Sequence, residues 1–279
     1  MKTRLVTIGC SFTKYDWPSW ADWMGTGYTE FYNFGSGGSG NRYIFHTFMK
    51  ALQKGLIDKN TDVVIQWTSC IREDHMSPET TNYYGGGGVY YSDYYTTEYR
   101  ERFFNPYQIV LETGNYIKNI KLILDIKQIN YAMFFMLNPW DGDFLGEPWD
   151  EQMLKVISRK EGVKIKRQLA DLRNVAQGNF IEESLTFFQL DFQKDRYYAY
   201  HPDASKQPPI DGHPGPTTQF EYLKRYILPY FPNVKLPDLS MSILEWEAWA
   251  KINLGTRFKE HRKPTEPVKN LGKHYNLHG

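Results

Sequence analysis

Three side chains that could act together stand far apart in this chain of 279 residues. Ser11 lies in Gly9-Cys10-Ser11-Phe12-Thr13, and Asp211 and His213 lie in Asp211-Gly212-His213-Pro214. A serine hydroxyl is a weak nucleophile until an imidazole accepts its proton and a carboxylate holds that imidazole in the correct tautomer. The order Ser…Asp…His supplies all three. A second His-Pro pair, His201-Pro202-Asp203, has a similar composition but lacks the glycine and the following helical segment.

Such a set needs a scaffold that brings distant segments to one edge. Ser11 directly follows a strand-like run over residues 3–9. Further strands are expected at 29–34, 62–68, 130–137 and 185–190, and residues 130–137 form the continuous apolar run of a buried parallel strand. Helical spacing is read over Arg42–Leu56, Tyr107–Gln128 and Thr217–Pro229, the last with Thr217 as its cap. Strands that alternate with helices imply crossover connections. The expected fold is therefore a three-layer α/β/α sandwich on a central parallel sheet of about five strands, flavodoxin-like in outline. The glycine-rich stretch Asn33-Phe34-Gly35-Ser36-Gly37-Gly38-Ser39-Gly40-Asn41 follows the second strand. It has neither the lysine of a phosphate-binding P-loop nor dinucleotide-binding spacing, so Gly38 reads as an oxyanion amide or a tight turn.

Taken in order, these blocks resemble the SGNH (GDSL-like) hydrolases over roughly residues 1–230. Gly9–Thr13 resembles the serine block, Asn33, Gly35 and Gly38 fit an Asn-x-Gly-x-x-Gly block, and Asp211 with His213 resembles the last. Two departures stand out. Where the family has Gly-x-Asn-Asp, this chain has Gln66-Trp67-Thr68-Ser69-Cys70-Ile71. Asp211 also precedes His213 by two residues rather than three. The resemblance implies a serine esterase that cleaves a short acyl ester, such as a carbohydrate O-acetyl group, through an acyl-Ser11 intermediate. His213 would be the base and Asp211 its orienting acid. The amides of Ser11 and Gly38 would face the oxyanion, with Ser69 in place of the absent asparagine. No metal or organic cofactor is implied. The alternative is a non-catalytic module of the same fold, binding glycan or building a virion.

Composition agrees with a globular protein. Net charge is +1, which offers no global field for nucleic acid or membrane, and no apolar run approaches a membrane span. Two cysteines, Cys10 and Cys70, do not make a disulfide framework. The N-terminus has no secretory apolar core, so the chain reads as cytoplasmic, virion-associated or exported without a cleaved signal. Aromatic residues make up 16%, including 21 Tyr. Many gather in a Tyr/Gly-rich insertion at 82–107, read as a loop because its four consecutive glycines disfavour a rigid element. Tyr84, Tyr90 and Tyr91 are its candidate substrate contacts, since tyrosine joins an apolar face to a polar tip. A charged helical insertion is expected at 141–180. Residues 1–235 then form the hydrolase-like domain and 236–279 a helix plus a basic arm or disordered tail. The expected partners are a small-molecule or carbohydrate ester and, through the arm, a second copy of the chain.

Overall fold

The computed structural model describes residues 2–70, 72–78, 83–89, 95–136, 167, 170–171, 173–174, 177–185, 213–253, 263–273 and 277. Five parallel strands form the central sheet: β1 (Arg4–Gly9), β2 (Glu30–Gly35), β3 (Thr61–Trp67), β6 (Asn130–Phe135) and β7 (Phe180–Ile181), in the order β2-β1-β3-β6-β7. Alternate residues of each strand feed two separate cores, as the period of two requires. Val6, Ile8, Val63, Ile65, Met133 and Phe135 face one layer, with Ile44 and Phe48 of α2 (Asn41–Gln53) and Ile117, Ile120 and Leu124 of α4 (Pro106–Ile126). Leu5, Phe31, Val64 and Phe134 face the other. There they meet Trp20 and Trp23 of α1 (Trp20–Gly25), Tyr222 of α5 (Pro216–Tyr222) and Trp246 of α6 (Ser240–Asn253). The expected three-layer α/β/α architecture is therefore present.

Differences from the sequence reading are local. The fifth strand is Phe180–Ile181 rather than 185–190; Leu185 is helical, and 186–190 lie outside the described residues. Gly215, not Thr217, caps α5, while the Thr217 N–H and hydroxyl donate to Glu247 Oε2 of α6 at 3.1 and 3.0 Å. Past Tyr222 the helix widens into a π turn (Leu223–Ile227) and ends in a 3₁₀ turn carrying Pro229, which has no N–H to continue the ladder. Most of the charged insertion lies outside the described residues; residues 167, 170, 171, 173 and 174 are helical and exposed.

The glycine run is a strand. Residues Tyr83–Gly88 (β5) pair antiparallel with Arg72–Met76 (β4), and α3 (Thr97–Arg102) follows. Close backbone approach explains the glycines. A Cβ on Gly85 would fall 2.3 Å from the Gly38 carbonyl carbon, and one on Gly86 would fall 2.1 Å from the Tyr95 hydroxyl. The C-terminal arm is docked over residues 263–273. Asn270 Oδ1 accepts from the Asn33 amide at 3.0 Å and from the Gly272 amide at 2.8 Å, and Trp246 Nε1 donates to Thr265 O at 3.2 Å. The arm thus lies along edge strand β2 and occupies part of its open ladder, a common way to blunt an edge.

Candidate active site

In the strand order, β1 is crossed on one side to β2 and on the other to β3. The switch point therefore falls at the carboxyl ends of β1 and β3, where open α/β sheets bind ligands. Ser11 sits there, two residues beyond β1. Its turn closes through Thr13 N and Lys14 N, which donate to Cys10 O at 2.9 and 3.3 Å. Thr13 Oγ1 donates to the buried Gln66 Oε1 of β3 at 2.7 Å, tying the turn to the next strand. Gly9 is required by this fit, because a Cβ there would fall 2.1 Å from Thr13 Oγ1. Asn33 of β2 holds the turn from the other side: Nδ2 donates to Thr13 O at 2.8 Å, and Oδ1 accepts from Gly35 N at 3.0 Å. Ser11 is largely buried (9% exposed), and among the described residues its hydroxyl takes part in none of these bonds.

Gly38 follows β2 at the same edge. Its φ of +70° lies in the left-handed region that glycine adopts readily. The hairpin rests on it, with Gly87 N donating to Gly38 O at 3.2 Å. Beneath the turn is a carboxyl that sequence reasoning missed. Asp74 of β4 accepts from Gly40 N at 2.6 Å and from Tyr43 N at 2.7 Å, capping α2 from another element. Burial pushes its pKa up to about 6, against the lowering effect of those two amides. Its only sequence signal is an acidic residue soon after β3, with its partners 34 and 31 residues away.

At the end of β3, Asn41 clamps Thr68: Oδ1 accepts from Thr68 N at 2.9 Å and Nδ2 donates to Thr68 O at 3.2 Å. Ser69 is buried there, and its carbonyl accepts from Arg72 N at 3.2 Å. Burial pushes the Cys70 thiol up to about 12, so it is not a thiolate near neutrality. Cys10 and Cys70 are both buried free thiols.

The segment before α5 folds onto the Ser11 loop. The His213 ring stacks on Tyr15 (centroids 3.7 Å apart, planes at 16°) and tilts against Phe12 at 5.0 Å. Trp17 Nε1 donates to Pro214 O at 2.8 Å and Trp23 Nε1 to Pro216 O at 3.3 Å. Gln219 closes the contact, accepting from Trp20 N at 3.1 Å and donating to Phe12 O at 3.4 Å. The fold thus brings His213 to the residues that flank Ser11, although 202 positions separate the two in the chain. The Ser11 hydroxyl and His213 Nε2 are not hydrogen-bonded to each other. Asp211, Tyr90 and Tyr91 lie outside the described residues, as does His201. Tyr84 is on β5 opposite His75 and is half exposed. Beside the His213 stack is an open cleft bordered by Lys14, Tyr15, Asp16, Trp246 and Val268. Among the described residues no cluster of three His, Cys, Asp or Glu is arranged to hold a metal. No helix among them is long and apolar enough to cross a membrane.

No family model and no curated protein matches this chain. Eight chains of solved structures do. One is described as a member of the lipolytic protein G-D-S-L family from Veillonella parvula DSM 2008. It shares 12% identity with this chain at a TM-score of 0.42, covering 83% of this chain and 100% of that one.

Proposed function

We propose that the chain is a serine ester hydrolase of the SGNH type. The observation that carries this reading is the docking of the His213 segment on the Ser11 turn at the carboxyl edge of the sheet. In the proposed reaction Ser11 Oγ attacks the ester carbonyl carbon while its proton passes to His213. The carbonyl π pair moves onto oxygen, where the Ser11 and Gly38 amides receive the charge. Collapse of that intermediate re-forms the carbonyl and expels the alcohol, which takes the proton from the imidazolium. Water, deprotonated by His213, then cleaves the acyl-serine by the same route. Asp211 is the proposed orienting acid.

The open Ser11–His213 pair is compatible with this chemistry, because such hydrogen bonds commonly tighten only around the substrate. Tyr15 fixes the imidazole plane by stacking. A short acyl group suits the closely held Ser11 turn, and Tyr84 on the hairpin offers an aromatic face to a sugar alcohol. The test is hydrolysis of p-nitrophenyl acetate by wild type, Ser11→Ala and His213→Ala. Both variants should keep the fold and lose several orders of magnitude in kcat/KM, because the two residues act as one unit. Full activity in a folded Ser11→Ala protein overturns the reading.

A further inference from the structure

We propose that the Arg72 guanidinium is the charged donor facing the oxyanion formed at Ser11, an inference that rests on the hydrolase reading above. Two backbone amides are neutral donors, and the Ser69 hydroxyl at the end of β3, expected in place of the absent asparagine, would be neutral too. The Thr68 backbone is taken up by Asn41, and the Cys70 thiol is a weak donor. The chain then turns back through Arg72 N to Ser69 O, and the Arg72 side chain reaches over the strand ends. Nη1 lies 3.4 Å from Ser39 O, next to Gly38. Nη2 lies 3.9 Å from Met136 Sδ, which is itself 3.6 Å from the Sγ of Cys10, next to Ser11. The guanidinium therefore bridges the neighbours of the two residues whose amides would receive the oxyanion.

Its present partners are weak. A carbonyl at 3.4 Å and a thioether at 3.9 Å use little of a group with five N–H donors. Among the described residues no carboxylate lies within ion-pair distance of it. The adjacent acid, Glu73, accepts from the Tyr99 hydroxyl, and Asp74, whose charge Arg72 favours from a distance, gives both oxygens to the α2 amides. Two buried hydroxyls close to it in the fold or chain, Ser39 Oγ and Thr68 Oγ1, also make no hydrogen bond. A part-buried cation with spare donors favours an anion, and hydrogen bonds between charged groups are about twice as strong as neutral ones. The anion this site generates is the tetrahedral oxyanion. Arginine stays protonated throughout, so it stabilises that charge without exchanging a proton.

Arg72→Ala and Arg72→Lys are compared with wild type on p-nitrophenyl acetate, with thermal unfolding recorded alongside. Loss of an oxyanion donor should lower kcat of the Ala variant by roughly 100- to 1,000-fold, with KM changed only a few-fold. Added guanidinium ion at a non-denaturing concentration should restore part of that kcat. Lys, which keeps charge but loses the fork, should fall between the two. An active wild type with unchanged kcat in both variants overturns this inference and leaves the hydrolase reading standing. A raised KM with unchanged kcat also overturns it, placing Arg72 on the bound substrate instead. A folded wild type that neither hydrolyses esters nor is labelled at Ser11 removes both.

Discussion

Placing a single methyl group on Gly85 tests whether the β4–β5 hairpin shapes the site. Its Cβ would lie 2.3 Å from Gly38 C, 2.4 Å from Gly38 O and 2.5 Å from Ser39 N, all backbone atoms that cannot rotate aside. Ordinary contact begins beyond about 3.4 Å, so the hairpin must retreat by about 1 Å. That retreat breaks the Gly87 N–Gly38 O bond, now at 3.2 Å. Overpacking costs about 1–3 kcal/mol and the lost bond about 1 kcal/mol. Gly85→Ala should therefore destabilise by about 3 kcal/mol and lower Tm by roughly 8 °C, using about 2–4 °C per kcal/mol for chains near this size. Two other glycines calibrate the result. A Cβ on Gly37 meets nothing within 4 Å, so Gly37→Ala should be nearly silent. A Cβ on Gly38 makes only ordinary contacts, the nearest at 3.6 Å, so Gly38→Ala should cost mainly the strain of φ +70°, about 1 kcal/mol. Urea denaturation and ester hydrolysis are measured on all three. Gly85→Ala should also lose kcat at temperatures where it remains folded, because the Gly38 peptide loses the hairpin bond that holds it. A Gly85→Ala protein as stable as Gly37→Ala, or one destabilised yet fully active below its transition, refutes the argument.

Two further perturbations follow from buried polar contacts. The Asp74 carboxyl titrates at about 6, above its ordinary 3.8, so the folded state holds that proton more tightly than the unfolded chain. The stability this gives is complete below about pH 4 and is lost as pH rises through about 6. Asp74→Asn does not titrate there, so the stability of wild type relative to this variant should fall between about pH 4 and 7, by at most about 3 kcal/mol. Denaturation midpoints across that range measure it, and a difference that grows with pH contradicts the assignment. Asn270→Ala removes the side chain that pairs with the Asn33 backbone, leaving a buried amide without its acceptor. It should cost about 1–3 kcal/mol in urea denaturation and leave protease cleavage within 263–273 faster; unchanged cleavage argues against a docked arm.

The parallel sheet was legible because its strands announce themselves locally. Residues 130–137 are apolar without alternation, and β1 runs straight into a small-residue turn. What local pattern could not show was set by distant partners. Gly85–Gly88 looked like a loop because glycine carries no strand preference, yet Gly38 and Tyr95 allow no Cβ at Gly85 and Gly86. Asp74 meets the first turn of α2, and Asn270 meets Asn33 at a separation of 237 residues. Neither pairing leaves a spacing signal. The short strand Phe180–Ile181 is too brief for periodicity to reveal. Ser11, Gly38 and His213 could be picked from types and order alone, and the fold gathers their segments at the switch point. Arg72 lies beyond any short motif, since the turn at Ser69 precedes it and its side chain finds Ser39 O and Met136 Sδ, 33 and 64 residues away.

The central claim, that Ser11 is a nucleophile, is tested most directly by the intact mass of the protein after reaction with a fluorophosphonate. One phosphonyl group per chain should be gained, mapped to the peptide holding Ser11, absent in Ser11→Ala and strongly slowed in His213→Ala. A folded wild-type protein that gains no mass, or that carries the adduct on another residue, contradicts the claim.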